Sequence, residues 1–136
     1  MKYLIDPQLI LDVLDSESQA AKSALALFEA HKGDELILAP TSYVALCPSF
    51  MGIRSMQDRF LDNLGVKVTK NAPATVMNAA YQAWSRYQKE NPIAKGGLSV
   101  FDQLYIGAYA LLYDGILTRN GDLYRNYFES LKVIEP

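Results

Sequence analysis

Short apolar runs alternate along the chain with longer segments in which apolar residues recur every three or four positions. The short runs predict five strands, at 2–5, 35–39, 66–69, 116–118 and 131–134. The longer segments predict helices at 8–14, 19–31, 40–47, 55–64, 73–90, 100–113 and 122–128, with a polar loop at 91–97. Because strands and helices alternate throughout, the pattern predicts an α/β fold in which helices cover both faces of a mostly parallel central sheet.

Residues typical of helix starts and helix ends support these boundaries. Asp6 followed by a proline predicts an N-cap, the polar run at 15–18 predicts a break and a second cap, and Gly65 predicts a helix end. The helix at 100–113 is apolar on nearly every side, which predicts a central buried helix capped by Ser99. No repeat and no long linker divides the chain, so we expect one domain over residues 1–136.

Composition narrows the class of protein. Half of the 136 residues are hydrophobic, 21% are charged, and the formal net charge is −2. This balance argues against a protein that coats nucleic acid, but it leaves room for a ribonuclease with a local basic rim. The single cysteine, Cys47, excludes an internal disulfide and a cysteine-based zinc site, and its apolar neighbours predict a buried thiol. The apolar run at the N-terminus is too short for a signal peptide or a membrane span, so we expect a cytoplasmic protein with no membrane association.

Polar residues stand where several predicted elements end or begin. Asp6 follows the first strand, Asp102 lies at the start of the apolar helix, and Asn120 and Asp122 follow the fourth strand. The carboxyl ends of parallel strands share one edge of the sheet, and ligands bind in the crevice there. Carboxylates gathered at that edge would suit Mg²⁺, which prefers oxygen ligands. The helix after the second strand offers no carboxylate, and Ala45 stands in its middle.

Each of these residues also has a purely structural interpretation. Asp6 is a good N-cap, and Asp102 lies three residues after a serine, where a carboxylate favours the helix dipole. Asn120 precedes a glycine and is typical of a turn, while Asp122 is typical of a helix cap. Arg119 is more simply paired with a carboxylate than with a substrate phosphate. The sequence leaves both interpretations open.

The order of these segments resembles the PIN-domain family, and within it the small toxins of the VapC type. Residues 3–12 resemble the family's first motif, a strand ending in Asp, and residues 100–108 resemble its third motif, an Asp leading an alanine-rich buried helix. Residues 117–123 are similar to the fourth motif, in which a Thr-Arg-Asp or Thr-Arg-Asn run precedes a second Asp. The resemblance covers nearly the whole chain and implies a PIN-like fold.

The resemblance also implies a chemistry, which is metal-dependent hydrolysis of RNA phosphodiester bonds with Mg²⁺ or Mn²⁺. Carried over by position, it implies that the metal ligands are Asp6, Asp102, Asn120 and Asp122, and that Asp6, Asp102 and Asp122 are catalytic. Members of the family commonly dimerise and bind a small antitoxin protein. The resemblance therefore implies an RNA substrate, an antitoxin partner and a homodimer.

The sequence departs from the family pattern at several positions. The second motif's glutamate is replaced by Ala45, and Pro7 and Gln8 replace the usual small polar residues after the first Asp. Another carboxylate, such as Asp12, would have to take the place of the missing glutamate. Two functions follow: a metal-dependent endoribonuclease, or alternatively a catalytically impaired PIN-fold protein that acts as a protein- or RNA-binding module.

Overall fold

The computed structural model describes residues 1–71, 73–91 and 97–136, and only the backbone of residues 97 and 98. The strands are β1 (Lys2–Ile5), β2 (Glu35–Leu38), β3 (Val66–Val68), β4 (Gly115–Leu117) and β5 (Val133–Ile134). The helices are α1 (Pro7–Leu14), α2 (Gln19–Ala30), α3 (Pro40–Ala45), α4 (Arg54–Leu64), α5 (Ala74–Glu90), α6 (Gly97–Ala110) and α7 (Asp122–Tyr127), and a 3-10 turn at Cys47–Phe50 follows α3. Most of the predicted polar loop at 91–97 lies outside the described residues.

The five strands form one parallel sheet in the order β3-β2-β1-β4-β5. The predicted α/β fold with helices on both faces is confirmed. Successive side chains of a strand point to opposite faces, so Leu4 packs into a core with residues of α5, α6 and α7. Its neighbours Tyr3 and Ile5 pack into a second core with residues of α1, α2 and α4.

Local capping chemistry explains three helix boundaries. The side chain of Asp6 accepts a hydrogen bond from the backbone N–H of Gln8 (3.0 Å) and caps α1, and Ser18 caps α2 by accepting from Ala21 (3.0 Å). Gly65 ends α4 at φ +75°, a left-handed backbone that glycine adopts without strain. These three predictions are confirmed.

Three local predictions are wrong. Ser99 does not cap α6, because the helix begins at Gly97 and an N-cap residue lies outside the helical backbone. Asp122 is the first helical residue of α7 rather than its cap, because the chain already turns at Gly121. Cys47 is exposed, since α3 ends at Ala45 and the following 3-10 turn directs the thiol outward.

The strand register brings the predicted functional positions to one edge. Ile5 of β1 is paired with Leu117 of β4, and the next backbone N–H, that of Asp6, donates to the carbonyl of Leu117 at 2.9 Å. Asp6 and Thr118 therefore follow neighbouring strands at the same level, and α3 begins directly beyond β2. Among the described residues, no helix is long and apolar enough to cross a membrane.

Candidate functional site

Asp6 lies at the centre of a buried hydrogen-bond network at the carboxyl edge of the sheet. The residue is only 6% exposed. Its Oδ2 accepts hydrogen bonds from the hydroxyls of Thr118 (2.8 Å) and Tyr124 (2.9 Å), and its Oδ1 accepts from the backbone N–H of Gln8. Three donors from three parts of the chain thus converge on one carboxylate and fix its orientation.

The protonation state of the Tyr124 hydroxyl favours its hydrogen bond to Asp6. Burial, together with the neighbouring Asp6 carboxylate, raises the pKa of the Tyr124 hydroxyl far above its ordinary value. The hydroxyl therefore keeps its proton and remains a donor to Asp6. A carboxylate has about four lone-pair sites, and protein donors already occupy most of those on Asp6.

A cavity of about 320 Å³ lies beside this network, between the start of α1, α3 and the first turns of α6. We call it the α3–α6 cavity. Its lining residues are Pro7, Thr41, Ser42, Ala45, Phe101, Asp102, Tyr105 and Ile106. Among the described residues of this wall, Asp102 is exposed and supplies the only charge, while Asp6 is turned towards Thr118 and Tyr124 and does not line it. The methyl group of Ala45 occupies the position of the missing glutamate.

Ser42 lies in the same wall, but its hydroxyl does not reach the cavity. The residue is 3% exposed, its oxygen is fully buried, and it has no hydrogen-bond partner among the described residues. A buried polar group without a partner costs about 1–3 kcal/mol, so such groups are uncommon in folded proteins. The α3–α6 cavity therefore combines apolar and aromatic surface with the Asp102 carboxylate and the lining residues Thr41 and Tyr105, which carry hydroxyls.

The fourth predicted motif forms a turn outside this cavity. Asn120 is exposed, and its backbone N–H donates to the Thr118 hydroxyl (3.2 Å). The Asp122 side chain is 89% exposed and lies 3.7 Å from Arg125, whose guanidinium also contacts Glu135 at 2.7 Å. The structure brings Asp102 to the cavity wall, but it places Asn120 and Asp122 elsewhere.

Asp12 does not take the place of the missing glutamate. It is buried, its Oδ1 accepts from the side-chain amide of Gln8 (3.1 Å), and its Oδ2 lies 2.8 Å from Nε of Arg119. That contact is an ion pair rather than an aligned hydrogen bond. The predicted pairing of Arg119 with a carboxylate is confirmed, and both charges are engaged away from the α3–α6 cavity.

A larger cavity of about 610 Å³ lies between α5 and the end of α7 and contains none of the predicted site residues. Arg86, one of its charged lining residues along with Glu129, already has partners within the fold. The guanidinium pairs with Glu90 (3.3 Å), donates to the carbonyl of Asn126 and packs over the ring of Tyr127. This cavity therefore offers no free charge for a ligand from that side chain.

The residues at the sheet edge do not fit a Mg²⁺ site of the kind that the resemblance implies. Mg²⁺ requires several oxygen ligands in near-octahedral geometry. In the described part of the chain, no three His, Cys, Asp or Glu side chains are grouped so that they could hold a metal ion. Asp6 is held by protein donors and Ala45 has no oxygen in its side chain. Metal binding by Asp6, Asp102, Asn120 and Asp122 stays a prediction.

Sequence analysis did not identify Thr118, Tyr124 and Ser42 as parts of the site. The position of Thr118 could have been predicted from the sequence, because it follows β4 directly and therefore lies beside Asp6. Nothing in the sequence pointed to Tyr124 or Ser42, since a helical tyrosine or serine is ordinarily a packing or surface residue.

The chain is similar to solved toxin–antitoxin structures. No family model matches it, and no curated protein matches its sequence. One similar structure is VapBC2 from Rickettsia felis bound to a DNA fragment from their promoter, with a TM-score of 0.70 and 11% identity over 100% of this chain and 99% of that chain. Another is VapBC-1 from nontypeable Haemophilus influenzae, with a TM-score of 0.70 and 16% identity over 99% of this chain and 98% of that chain. At such identities the likeness shows the fold.

Proposed function

We propose that this chain, which has a VapC-like PIN fold, is a binding module in which the metal-dependent nuclease chemistry has been lost. One observation carries the proposal: the Asp6 carboxylate is held by three protein donors, while Ala45 stands where a second acidic ligand would be needed. A nuclease site of this kind needs carboxylate oxygens that are free to bind the ion and to orient water. Here the first of them stabilises the fold instead.

Exposed apolar side chains support a protein as the partner. Val44 is 70% exposed and Met51 is 75% exposed, and Ile53 and Met56 in the same stretch of chain are also exposed. Exposed apolar side chains in a group are typical of interaction surfaces. Both similar structures are VapBC toxin–antitoxin complexes. We therefore infer that the partner is a small antitoxin-like protein that covers this α3–α4 surface, defined as Val44, Met51, Ile53 and Met56.

A metal-dependent endoribonuclease is the second candidate function. The exposed carboxylate of Asp102 favours it, because that carboxylate lines the same cavity as Pro7, the residue next to Asp6. An RNA substrate and a homodimer also stay predictions of the resemblance.

Metal titration and an RNA cleavage assay separate the two functions. We expect wild-type protein to show no carboxylate-dependent Mn²⁺ binding by isothermal titration and no Mg²⁺- or Mn²⁺-dependent cleavage of single-stranded RNA. The double variant Asp6→Asn, Asp102→Asn is the comparison, and Asp62→Asn, an exposed carboxylate on α4, is the charge-matched control. Binding and cleavage that are present in wild type and lost only in the double variant would establish the ribonuclease.

The partner is tested by co-expression with the product of a neighbouring small open reading frame. Val44→Glu with Met56→Glu is expected to abolish co-purification, because each charge would have to be buried at the interface. Met77→Glu places the same charge at an exposed methionine of α5 and is expected to leave the complex intact. Equal loss of the complex in both variants, or in neither, contradicts the α3–α4 surface as the interface.

A further inference from the structure

The α3–α6 cavity has the size and surface of a small-molecule site rather than an ion site. Its volume of about 320 Å³ falls at the lower end of the range for ligand pockets, roughly 300–1,000 Å³. Most of its wall is apolar, and a few polar groups stand in that wall, which is the usual composition of such sites. A bicyclic molecule is small enough for this volume, whereas a metal ion would leave most of the space empty.

Two aromatic rings form part of the wall. Phe101 and Tyr105 are partly exposed, and their ring centroids lie 6.3 Å apart on successive turns of α6. Aromatic faces of this kind are the usual stacking partners of unpaired nucleobases. The wall therefore favours a planar ligand with a π-system over an aliphatic one.

The carboxylate of the cavity selects among the bases. A carboxylate such as Asp102 accepts hydrogen bonds through two adjacent oxygens. Guanine is the common base whose Watson–Crick edge presents two adjacent N–H donors. In the other bases, an acceptor stands beside the donor and would face the carboxylate.

We propose that the α3–α6 cavity binds a guanine base, with Asp102 accepting from its two donors and an aromatic ring of α6 stacking on its face. The inference rests on the proposed function, because it assigns the cavity to a ligand rather than to a catalytic metal. The base has two sources, a free guanine nucleoside or nucleotide and a guanine within single-stranded RNA.

The single tryptophan provides the readout. Trp84 contacts Phe101 edge-to-face with centroids 5.5 Å apart, so a ligand that stacks in the cavity changes the surroundings of the fluorophore's nearest partner. Guanosine, inosine, adenosine and L-arginine are titrated in EDTA while Trp84 fluorescence is recorded. We expect saturable binding of guanosine and at least about tenfold weaker binding of inosine, which lacks the 2-amino donor.

One variant removes the polar contact without disturbing the fold. Asp102→Asn is expected to weaken guanosine binding by about tenfold or more. Asp102 is exposed, so the substitution removes no buried contact. Thermal unfolding verifies that the variant folds, and Asp62→Asn serves as the charge-matched control with unchanged binding.

Other results of the titrations would contradict the proposal or identify the source of the base. Equal binding of guanosine, inosine and adenosine, or no binding by any of them, overturns the proposal. Tighter binding of L-arginine with the same dependence on Asp102 overturns it in favour of a guanidinium group from a protein. A short oligouridine with one central guanine, compared with the same oligomer carrying inosine, tells RNA from free nucleoside. RNA cleavage by wild type would contradict the proposed function, whereas absence of both cleavage and guanosine binding contradicts this inference alone.

Discussion

Replacing Tyr124 by Phe tests whether the Asp6 carboxylate stabilises the fold or is instead free to bind a metal ion. The substitution keeps the fully buried ring and removes only the hydroxyl that donates to Asp6 Oδ2 at 2.9 Å. A hydrogen bond to a charged group contributes about 1.5–3 kcal/mol, and the buried carboxylate cannot recover the lost donor from solvent. We therefore expect the free energy of unfolding to fall by about 2 kcal/mol.

Urea unfolding followed by circular dichroism measures this change. For a protein of this size, a denaturant slope of about 2 kcal/mol/M converts the loss into a midpoint lower by roughly 1 M. Tyr81→Phe is the matched control, because it removes the hydroxyl of an exposed tyrosine on α5. The control is expected to stay within about 0.5 kcal/mol of wild type.

Thr118 extends the experiment to the second donor on the same oxygen. Thr118→Val removes a hydroxyl 2.8 Å from Asp6 Oδ2 while preserving shape. Because Thr118 and Tyr124 share one acceptor, the double variant is expected to deviate from additivity by about 0.5–3 kcal/mol. A Tyr124→Phe protein as stable as the Tyr81→Phe control would refute the view that Asp6 serves as a buried anchor.

Three further predictions concern other parts of the fold and the site. Gly107→Ala is expected to cost about 1–3 kcal/mol in urea unfolding, because its Cβ would clash with the ring of Phe128, and Phe128→Leu should recover part of that loss. Hydrogen bonds from Arg125 and from the backbone of Gly121 lower the pKa of Glu135. The stability that they provide is therefore present above the ordinary pKa range of a glutamate and is lost as the pH falls through the lowered value, so wild type and Glu135→Gln should differ in melting temperature at pH 7 and converge in acid. Ala45→Glu is expected to show no RNA cleavage in Mn²⁺, because the substitution leaves the buried hydrogen bonds to Asp6 in place. Cleavage by this variant and not by wild type would show that the missing glutamate is all that separates this chain from a nuclease.

Most of the fold could be predicted from the sequence, because helix ends and strand positions depend on residues that are close together in the chain. The Asp6-Pro7 pair starts α1, Ser18 starts α2 and Gly65 ends α4, because capping depends on residues within a few positions of each other. The alternation of strands with helices also led to a parallel sheet, and hence to one edge where the strand ends meet. The sequence also showed that the set of acidic residues is incomplete, since Ala45 has no side-chain oxygen.

Tertiary structure alone decided what the remaining groups do. Asp6 is held by donors 112 and 118 residues away in sequence, Thr118 and Tyr124, and no local pattern predicts such a distant contact. The orphaned hydroxyl of Ser42 and the outward thiol of Cys47 depend likewise on where α3 ends and what packs against it. The pattern of apolar and polar residues was enough to place Asp6 and Thr118 at the ends of their strands. Whether a carboxylate there is free or bound depends on its three-dimensional neighbours, because burial and hydrogen bonding are properties of the packed chain.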